Sequence, residues 1–396
     1  MAYVQEGVVH DCDTHWMELP GCLDPYIEPQ FRDQVTARIR SHRKRFEQTD
    51  WADEVVQKHD DPEFRAGADD NIMLRKRYDA LGSFRAEDRS RAIDLLGFAS
   101  QLVFTSFALG NFGLDDDDNK DLAYAAAQAH NRMMVDLCSV DRRLLPTAYV
   151  PIADRGRAVE IAQEAIAMGA KGIMIPSKCP KGFSPSHIEL DALWQTVNDA
   201  GLPILFHVGG QQKFNTDYAI NGGPVQLDWL GGAENFTSIS FMSIPHSIEM
   251  TLATMIFDGV FDRFPTLKFG VTELGATWLP SWMRFLDVSH RAFGREERLQ
   301  RLSALPSEIV RRQVRVGPYP HEDIGWIIRE AGEEILMFSS DYPHIEGGRN
   351  PMKRFDESME GLPESAKRRF YRENFVDLMG KGLDPALNQE PAAMAA

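Results

Sequence analysis

The sequence predicts a (β/α)8 barrel, and two observations lead to this prediction. Eight short apolar segments alternate with stretches of helical periodicity, which is typical of parallel strands joined by right-handed crossovers. Eight such repeats are the number that closes a barrel, and 396 residues fit one barrel with insertions. The alternative is an open doubly wound sheet, which usually has a glycine-rich turn after its first strand. The first predicted strand here runs into DCDTHWME instead.

The predicted elements follow in order from the N-terminus. The first strand contains Val8 and Val9 and finishes in DCDTH. The other predicted strands are QLVFTSF, LLPTAYVPI, AKGIMIP, PILFHVGG, LKFGVTEL, QVRVGPY and EILMFSSDYPH. Helical periodicity occurs at residues 85–98, 121–137, 156–168, 188–200, 247–261 and 322–331. Most strands are therefore separated by a helix, as a barrel of parallel strands requires.

Two segments are longer than ordinary connections. Residues 16–84 are rich in charge and too long for a simple loop, so we expect a mostly helical insertion over one barrel end. Residues 211–245 are expected to form a long loop after the fifth strand, with glycine pairs marking its turns. We predict a single domain over residues 1–385 and a disordered tail over residues 386–396.

The composition restricts the class of partner. A formal net charge of −16 argues against binding to nucleic acid or to an acidic membrane surface, since both are polyanions. The sequence shows neither an apolar run near the ~20 residues of a membrane helix nor a secretory signal pattern. The cysteines form no CxxC pair, which fits a reducing cytosol, and the acidic run at 115–118 is expected to be a solvated loop. We therefore expect a cytoplasmic protein that acts on a small molecule and forms an oligomer with itself or with a related subunit.

Residues suited to metal binding or to acid–base chemistry end four of the predicted strands. Asp13 and His15 end the first strand, and His207, Glu273 and Asp341 end the fifth, sixth and eighth strands. The carboxyl ends of parallel barrel strands open onto one face of the barrel, where the active sites of this fold lie. We therefore expect these five side chains to converge at one site.

The same geometry assigns the remaining candidates to a side of the barrel. Alternation along the first strand puts Asp11 on the side of Asp13 and His15, and it puts His10 on the other side. Lys171 precedes IMIP, the apolar part of its predicted strand, and so belongs to the opposite end of the barrel. We therefore expect no metal-bridging role for Lys171 and no role in the site for His10.

Four stretches of the sequence resemble one known family, namely DCDTHWME, LFHVGG, GVFDRFPTLKFGVTELGATWLP and FSSDYPH. In this order and spacing they are similar to the amidohydrolase-related family of the amidohydrolase superfamily, which includes metal-dependent hydrolases and decarboxylases of small carboxylated compounds. The resemblance implies a divalent metal ion held by Asp13, His15, His207 and Asp341. The sequence departs from the family pattern at Glu273, where many members have a histidine that binds metal or transfers a proton.

Two further residues extend the predicted site. His246 directly precedes a predicted helix, which places it at the catalytic rim, where it could reach the metal or the substrate or simply cap the helix. Glu18 could add a carboxylate ligand. The full set of predicted metal ligands is Asp13, His15, Glu18, His207, His246, Glu273 and Asp341. Imidazole and carboxylate donors suit zinc, manganese or iron, and we expect one or two ions per chain.

Two hypotheses about function follow from this set. The first is a metal-dependent hydrolase, or the related non-oxidative decarboxylase, acting on a small carboxylated substrate through a water activated by the metal. In it Asp341 takes a proton, and His246 or Glu273 protonates the leaving group. The alternative is a dinuclear iron or manganese oxygenase, if Glu18, Glu273 and His246 make the site rich enough in donors for two metals. Metal content and oxygen consumption distinguish the two hypotheses.

Overall fold

The structure is a computed structural model of the chain, and it describes residues 2–42, 50–67, 72–108, 119–224 and 237–389. For residues 38–42 it describes the backbone only. The acidic run at 115–118 lies outside these residues, as does part of the long loop after the fifth strand. Among the helices described, none has both the length and the apolar composition that crossing a membrane requires.

Seven parallel strands form one curled sheet in chain order. Strands β1–β7 span His10–Trp16, Ser100–Thr105, Leu144–Tyr149, Gly172–Met174, Ile204–His207, Phe269–Thr272 and Val314–Val316. All residues of these strands are buried, because helices cover the sheet outside and side chains fill the lumen. The predicted barrel fold is thereby confirmed.

The predicted eighth strand lies between β7 and β1 and closes the barrel, although it pairs only at isolated bridges. Its start bridges β7 and its end bridges β1. On the β1 side, the backbone N–H of Cys12 donates to the carbonyl of Phe338 at 3.0 Å, and that of His15 donates to the carbonyl of Tyr342 at 2.7 Å. We call residues 335–342 the closing segment.

Helices surround the sheet. Helices α1–α17 span Arg32–His42, Asp50–Asp60, Pro62–Ala66, Ala86–Leu96, Lys120–Cys138, Arg155–Met168, Asp191–Ala200, Ser238–Phe241, Ile244–Phe257, Val260–Arg263, Leu279–Ala292, Glu297–Gln300, Pro306–Gln313, Ile324–Ala331, Pro351–Ser358, Glu364–Arg368 and Asn374–Met379. Shorter 3-10 turns lie at Arg77–Asp79, Ile188–Leu190, Thr216–Ala219, Gly380–Gly382 and Pro385–Asn388, and a π turn lies at Arg369–Glu373. All six predicted helices are present. Their ends follow local signals: Asp154 accepts from the N–H of Gly156 before α6, and Gly169 ends that helix in the left-handed conformation.

The insertion after β1 carries helices α1, α2 and α3 in its described part. Its last residues return to the barrel near the carboxyl ends of β1 and β2. There the hydroxyl of Tyr78 donates to the carbonyl of Glu18 at 2.7 Å, and its ring stacks parallel to that of Phe107. The insertion therefore covers the end of the barrel at which the predicted site lies.

The other end of the barrel is filled from the C-terminus. Leu102 and Leu205 of the lumen share a hydrophobic cluster with Phe375 of α17. His10, at the start of β1, stacks on Phe375 with ring centroids 5.0 Å apart. Lys171 directly precedes β4 and so belongs to the same end. The structure thus keeps both residues away from the carboxyl ends of the strands.

The tail is ordered for a few residues beyond the predicted boundary. Leu387 is buried against the lumen cluster, and the side chain of Asn388 accepts from the guanidinium of Arg372 at 2.7 Å. The prediction of disorder is therefore wrong for residues 386–389, because the apolar side chain of Leu387 packs into the lumen cluster. Residues 390–396 lie outside the described part of the chain.

Candidate metal centre

The five residues predicted at the strand ends lie together and are buried. Asp13 and His15 belong to β1, His207 is the last residue of β5, Glu273 directly follows β6, and Asp341 lies in the closing segment. The pairing of β1 with β2 shifts register between Asp11 and Thr14, so β1 has a bulge-like irregularity in the stretch that contains Asp13. Bulges redirect a side chain locally, and they are common beside active sites.

Four of these residues form a first group of possible metal ligands. The group consists of Asp13, His15, His207 and Glu273, and one donor atom from each lies within 4.8 Å of all the others. Asp13 Oδ1 is 3.2 Å from His15 Nε2 and 3.3 Å from His207 Nε2. Glu273 Oε2 is 3.3 Å from His207 Nε2 and 3.6 Å from His15 Nε2. We call this set the first ligand group.

A second ligand group shares two residues with the first. It consists of His15, Glu273, Asp341 and His344, again with donor atoms within 4.8 Å of one another. Asp341 Oδ1 lies 3.0 Å from His344 Nδ1 and 3.4 Å from His15 Nε2. The rings of His15 and His344 stack with centroids 3.9 Å apart. His344 is absent from the residues predicted from sequence, although it ends the quoted stretch FSSDYPH.

Several atoms of the centre that could bind a metal ion have no hydrogen-bond partner. His15 Nε2, His344 Nδ1 and both carboxylate oxygens of Asp341 are buried and unpaired. Buried polar atoms are nearly always hydrogen-bonded, so unpaired donors that converge on one place indicate a missing ligand. Nitrogen and carboxylate oxygen together suit a divalent ion of the zinc, manganese or iron type. The residues present therefore fit a metal ion.

Each imidazole is held through the nitrogen that faces away from the centre. The Nδ1 atoms of His15 and His207 lie 3.3 Å and 2.9 Å from the backbone carbonyls of Thr105 and Val208. Since a carbonyl can only accept, each Nδ1 carries the proton, and the inward Nε2 keeps its lone pair for a metal. This is the second-sphere arrangement that orients histidine ligands in metal sites.

Glu273 and Asp341 have an unusual backbone conformation. Only three non-glycine residues in the described part of the chain have positive φ, and these two are among them, at +53° and +51°. A left-handed residue with a Cβ costs roughly 1–2 kcal/mol, and such strain tends to occur at functional sites. The conformation turns both carboxylates inward at the strand ends.

The electrostatics of the centre reflect its burial. Burial raises the pKa of Asp341 well above its ordinary value, and the nearby charge of Glu273 raises it further. Burial likewise raises the pKa of Glu273. Burial also disfavours the charged form of Asp13, but His207 and His15 together lower its pKa to about 2. Three buried carboxylates without a cation must either bind protons or repel each other as like charges. A divalent ion bound between them would offset this repulsion.

The sequence as a whole matches one family profile. The amidohydrolase profile covers residues 10–378, which is nearly the whole chain. The chain belongs to the amidohydrolase family. The resemblance inferred from the four sequence stretches is therefore confirmed, and the protein is a member of a superfamily of metal-dependent enzymes.

Several solved structures share the fold of this chain. An amidohydrolase from Mycobacterium avium subsp. paratuberculosis is 22% identical, with a TM-score of 0.71 over 95% of this chain and 100% of its own. A manganese-bound 5-carboxyvanillate decarboxylase from Novosphingobium aromaticivorans is 17% identical, with a TM-score of 0.63 over 94% and 97% of the two chains. A manganese-bound dihydroxybenzoic acid decarboxylase from Polaromonas is 14% identical, with a TM-score of 0.60 over 94% and 97%. No curated protein matches the chain.

In this amidohydrolase, Glu18 lies outside both ligand groups. Its carboxylate accepts three backbone N–H groups of the segment after β2, from Ser106, Phe107 and Ala108, at 2.9 Å to 3.0 Å. Those hydrogen bonds compensate for the burial of the carboxylate charge, and they fix the segment after β2 in place. The structure does not bring Glu18 to the centre as a ligand.

His246 also lies outside both groups. It occupies the first turn of α9 and is exposed. It lines a cavity of about 520 Å³, together with Phe241, Trp278 and Tyr319. The hydroxyl of Tyr319 donates to the backbone carbonyl of Glu273 at 2.6 Å, so the cavity borders the centre. This position fits contact with a substrate better than contact with a metal.

The role of Glu18 can be tested by substitution. Glu18→Gln is expected to lower the free energy of unfolding by about 1–3 kcal/mol, because the amide cannot accept all three N–H groups. Metal content per chain should stay unchanged. Urea denaturation and elemental analysis measure the two quantities. Loss of metal at unchanged stability would show that Glu18 is a ligand after all.

Proposed function

We propose that this chain is a metal-dependent hydrolase, or a closely related non-oxidative decarboxylase, acting on a small carboxylated organic substrate. The observation that carries the proposal is the first ligand group, in which two imidazoles and two carboxylates converge at the carboxyl ends of the barrel strands. The decarboxylase structures of similar fold support the substrate class, since two of them contain manganese together with a nitro-substituted aromatic compound.

In this proposal Asp13, His15, His207 and Glu273 hold the ion, and Asp341 lies beside it. A divalent ion would act as a Lewis acid and would lower the pKa of a coordinated water from 15.7 to about 7. Asp341 has both oxygens free of hydrogen bonds, which suits it to accept a proton from a nucleophile or substrate. Zinc, manganese and iron all match the donor set.

The cavity beside Glu273 is the proposed substrate site. The rings of Phe241, Trp278 and Tyr319 give it an aromatic lining that suits a flat aromatic ring. His246 stands at its wall and is proposed to protonate the leaving group or carbon, a role in which Glu273 is the alternative.

Turnover assays test the proposal. Manganese-loaded protein is expected to consume at least one aromatic acid from a panel that includes 2,6-dihydroxybenzoate and 5-carboxyvanillate, or to hydrolyse an ester or amide of such an acid. Chromatography and release of carbon dioxide distinguish the two reactions. His207→Ala should abolish turnover together with metal retention. Wild-type protein that retains no zinc, manganese or iron after dialysis would refute the proposal.

A second candidate function is a dinuclear iron or manganese oxygenase. The observation that favours it is the overlap of the two ligand groups at His15 and Glu273, which gives a donor set rich in carboxylates. Oxygen consumption by the iron-loaded protein with an aromatic substrate measures this activity. Turnover at an unchanged rate without oxygen would eliminate it.

A further inference from the structure

Lys76, near the end of the insertion, places a buried positive charge beside the centre. Its Nζ atom is buried and has no hydrogen-bond partner within the described part of the chain. The atom lies 5.8 Å from the ring centre of Tyr342, the residue that directly follows Asp341. Burying an ammonium group without an anionic partner costs considerable free energy. An anion that binds Lys76 would therefore be favoured here.

The segment that contains Lys76 is attached to the end of the closing segment. The backbone N–H of Arg77 donates to the carbonyl of Pro343 at 2.7 Å, and the hydroxyl of Tyr342 donates to the carbonyl of Leu81 at 2.7 Å. Arg77 is also the third non-glycine residue with positive φ in the described part of the chain, at +56°. Such strain tends to occur at ligand-binding sites. Lys76 is therefore held in place before any ligand binds, which lowers the entropic cost of binding.

The charges that act on Lys76 include those of the centre. Burial lowers the pKa of Lys76 to about 8, and the negative charges of Asp341 and Glu346 oppose this shift. The ammonium form consequently predominates at pH 7. Both oxygens of Asp341 lack a hydrogen bond, so Asp341 does not pair directly with this cation. A divalent ion at the centre would add further positive charge nearby and would increase the attraction for an anion.

The cavity beside Glu273 offers no such cation. Among the described residues that line it, none is a lysine or an arginine, and three are acidic, namely Glu249, Glu322 and Asp323. Its aromatic rings suit the ring of a substrate, but its acidic groups repel a carboxylate. A carboxylated substrate therefore needs a positive charge elsewhere at the centre.

We propose that Lys76 binds the carboxylate of the substrate and thereby selects anionic substrates over neutral ones. Its ammonium group has three N–H donors, and hydrogen bonds of this charged kind are about twice as strong as neutral ones. The ring of Tyr342 supports the cation from one side. The inference rests on the proposed function, because it names the residue that recognises the carboxylated substrate class.

Binding of an acid and of its neutral amide tests the inference. Manganese-loaded protein is titrated by calorimetry with benzoate and with benzamide, which are similar in size and differ in charge. The wild type is expected to bind benzoate more tightly than benzamide. Lys76→Met, which keeps an unbranched side chain, should weaken binding of benzoate by roughly 10- to 100-fold and leave binding of benzamide unchanged. Lys76→Arg should restore part of the loss.

Lys58→Met is the matched control. Lys58 belongs to α2 of the same insertion, is exposed and pairs with Asp79 at 2.7 Å, so its loss should change neither affinity. Both variants should retain the metal content of the wild type. The melting temperature of Lys76→Met should not fall, because its ammonium group has no hydrogen-bond partner to lose.

Four results would overturn the inference. They are no preference for benzoate in the wild type, unchanged affinity for benzoate in Lys76→Met, equal losses for benzoate and benzamide, and a lower melting temperature, which would give Lys76 a structural role. Turnover of the aromatic acid panel by the wild type, measured separately, distinguishes a failure of this inference from a failure of the proposed function.

Discussion

Removing divalent metal from this protein is expected to lower its thermal unfolding midpoint by about 5 °C. The three carboxylates of Asp13, Glu273 and Asp341 are buried beside one another. A cation that binds this site in the folded chain, but not in the unfolded chain, therefore raises the free energy of unfolding. Free metal at about 1,000 times its Kd stabilises the folded state by about 4 kcal/mol. With an unfolding entropy of about 2.1 cal/mol/K per residue and 396 residues, that energy corresponds to a shift of about 5 °C in the unfolding midpoint.

The measurement compares unfolding midpoints with added metal and after exhaustive dialysis against a chelator. His207→Ala is the comparison variant, because it removes one donor of the first ligand group at the end of β5. Its midpoint should hardly respond to the chelator. Equal midpoints for the wild type with and without metal would mean that the cluster binds its ion too weakly to matter for folding.

Asp341→Asn is expected to lower kcat by about 10²–10⁴-fold, even at saturating metal. The amide keeps the shape of the carboxylate, but it cannot take up a proton, and general bases typically contribute a factor of this size. Steady-state kinetics with the substrate found in the aromatic acid panel measure the effect. The loss should persist as the metal concentration is raised, which separates proton transfer from weakened binding of the ion.

The matched control for this change is Asp287→Asn on α11. That carboxylate accepts from the backbone N–H and the hydroxyl of Ser307, at 3.0 Å and 2.8 Å, on the outer surface of the barrel. The same chemical substitution there should leave kcat unaltered. If Asp341→Asn also retains the wild-type kcat, Asp341 serves only as a ligand and another group accepts the proton.

Most of the centre could be predicted from sequence because it follows the periodicity of the fold. Asp13, His15, His207 and Glu273 lie in or directly after strands, so the rule that parallel strands share a catalytic end was enough to bring them together. The same rule explains why Lys171, which precedes β4, lies elsewhere. His10 was excluded by alternation along the first strand, and the structure places it at the start of β1. These predictions needed only the strand positions, which apolar segments reveal clearly.

His344 could not be predicted in this way, because no strand or helix period reaches it. It follows Asp341 in a turn in which its backbone N–H donates to the carbonyl of Asp341 at 2.7 Å. Its place in the centre depends on a contact with Ser106, which is 238 residues away in the chain. A local sequence pattern shows neither this turn nor this contact. The only signal available was the nearness of a second imidazole to a predicted ligand.

Glu18 and His246 were predicted as metal ligands, but neither belongs to the two ligand groups. Both lie close in sequence to residues predicted at the rim. The carboxylate of Glu18 turns to the backbone N–H groups after β2, and the imidazole of His246 faces solvent and a cavity. The direction of a side chain just beyond a strand depends on which loop packs above it, and the sequence does not encode that simply.

The closing segment has a consequence for the order in which the protein becomes functional. Asp11, on the first strand, accepts from the backbone N–H of Ser340 at 2.9 Å, across 329 residues of chain. Asp13 and His15 of the centre lie on the same strand as Asp11, and Asp341 directly follows Ser340. The centre therefore combines side chains from two parts of the chain that are far apart in sequence. A chain under synthesis can form helices and neighbouring strands early, but these side chains can come together only after the closing segment has been made.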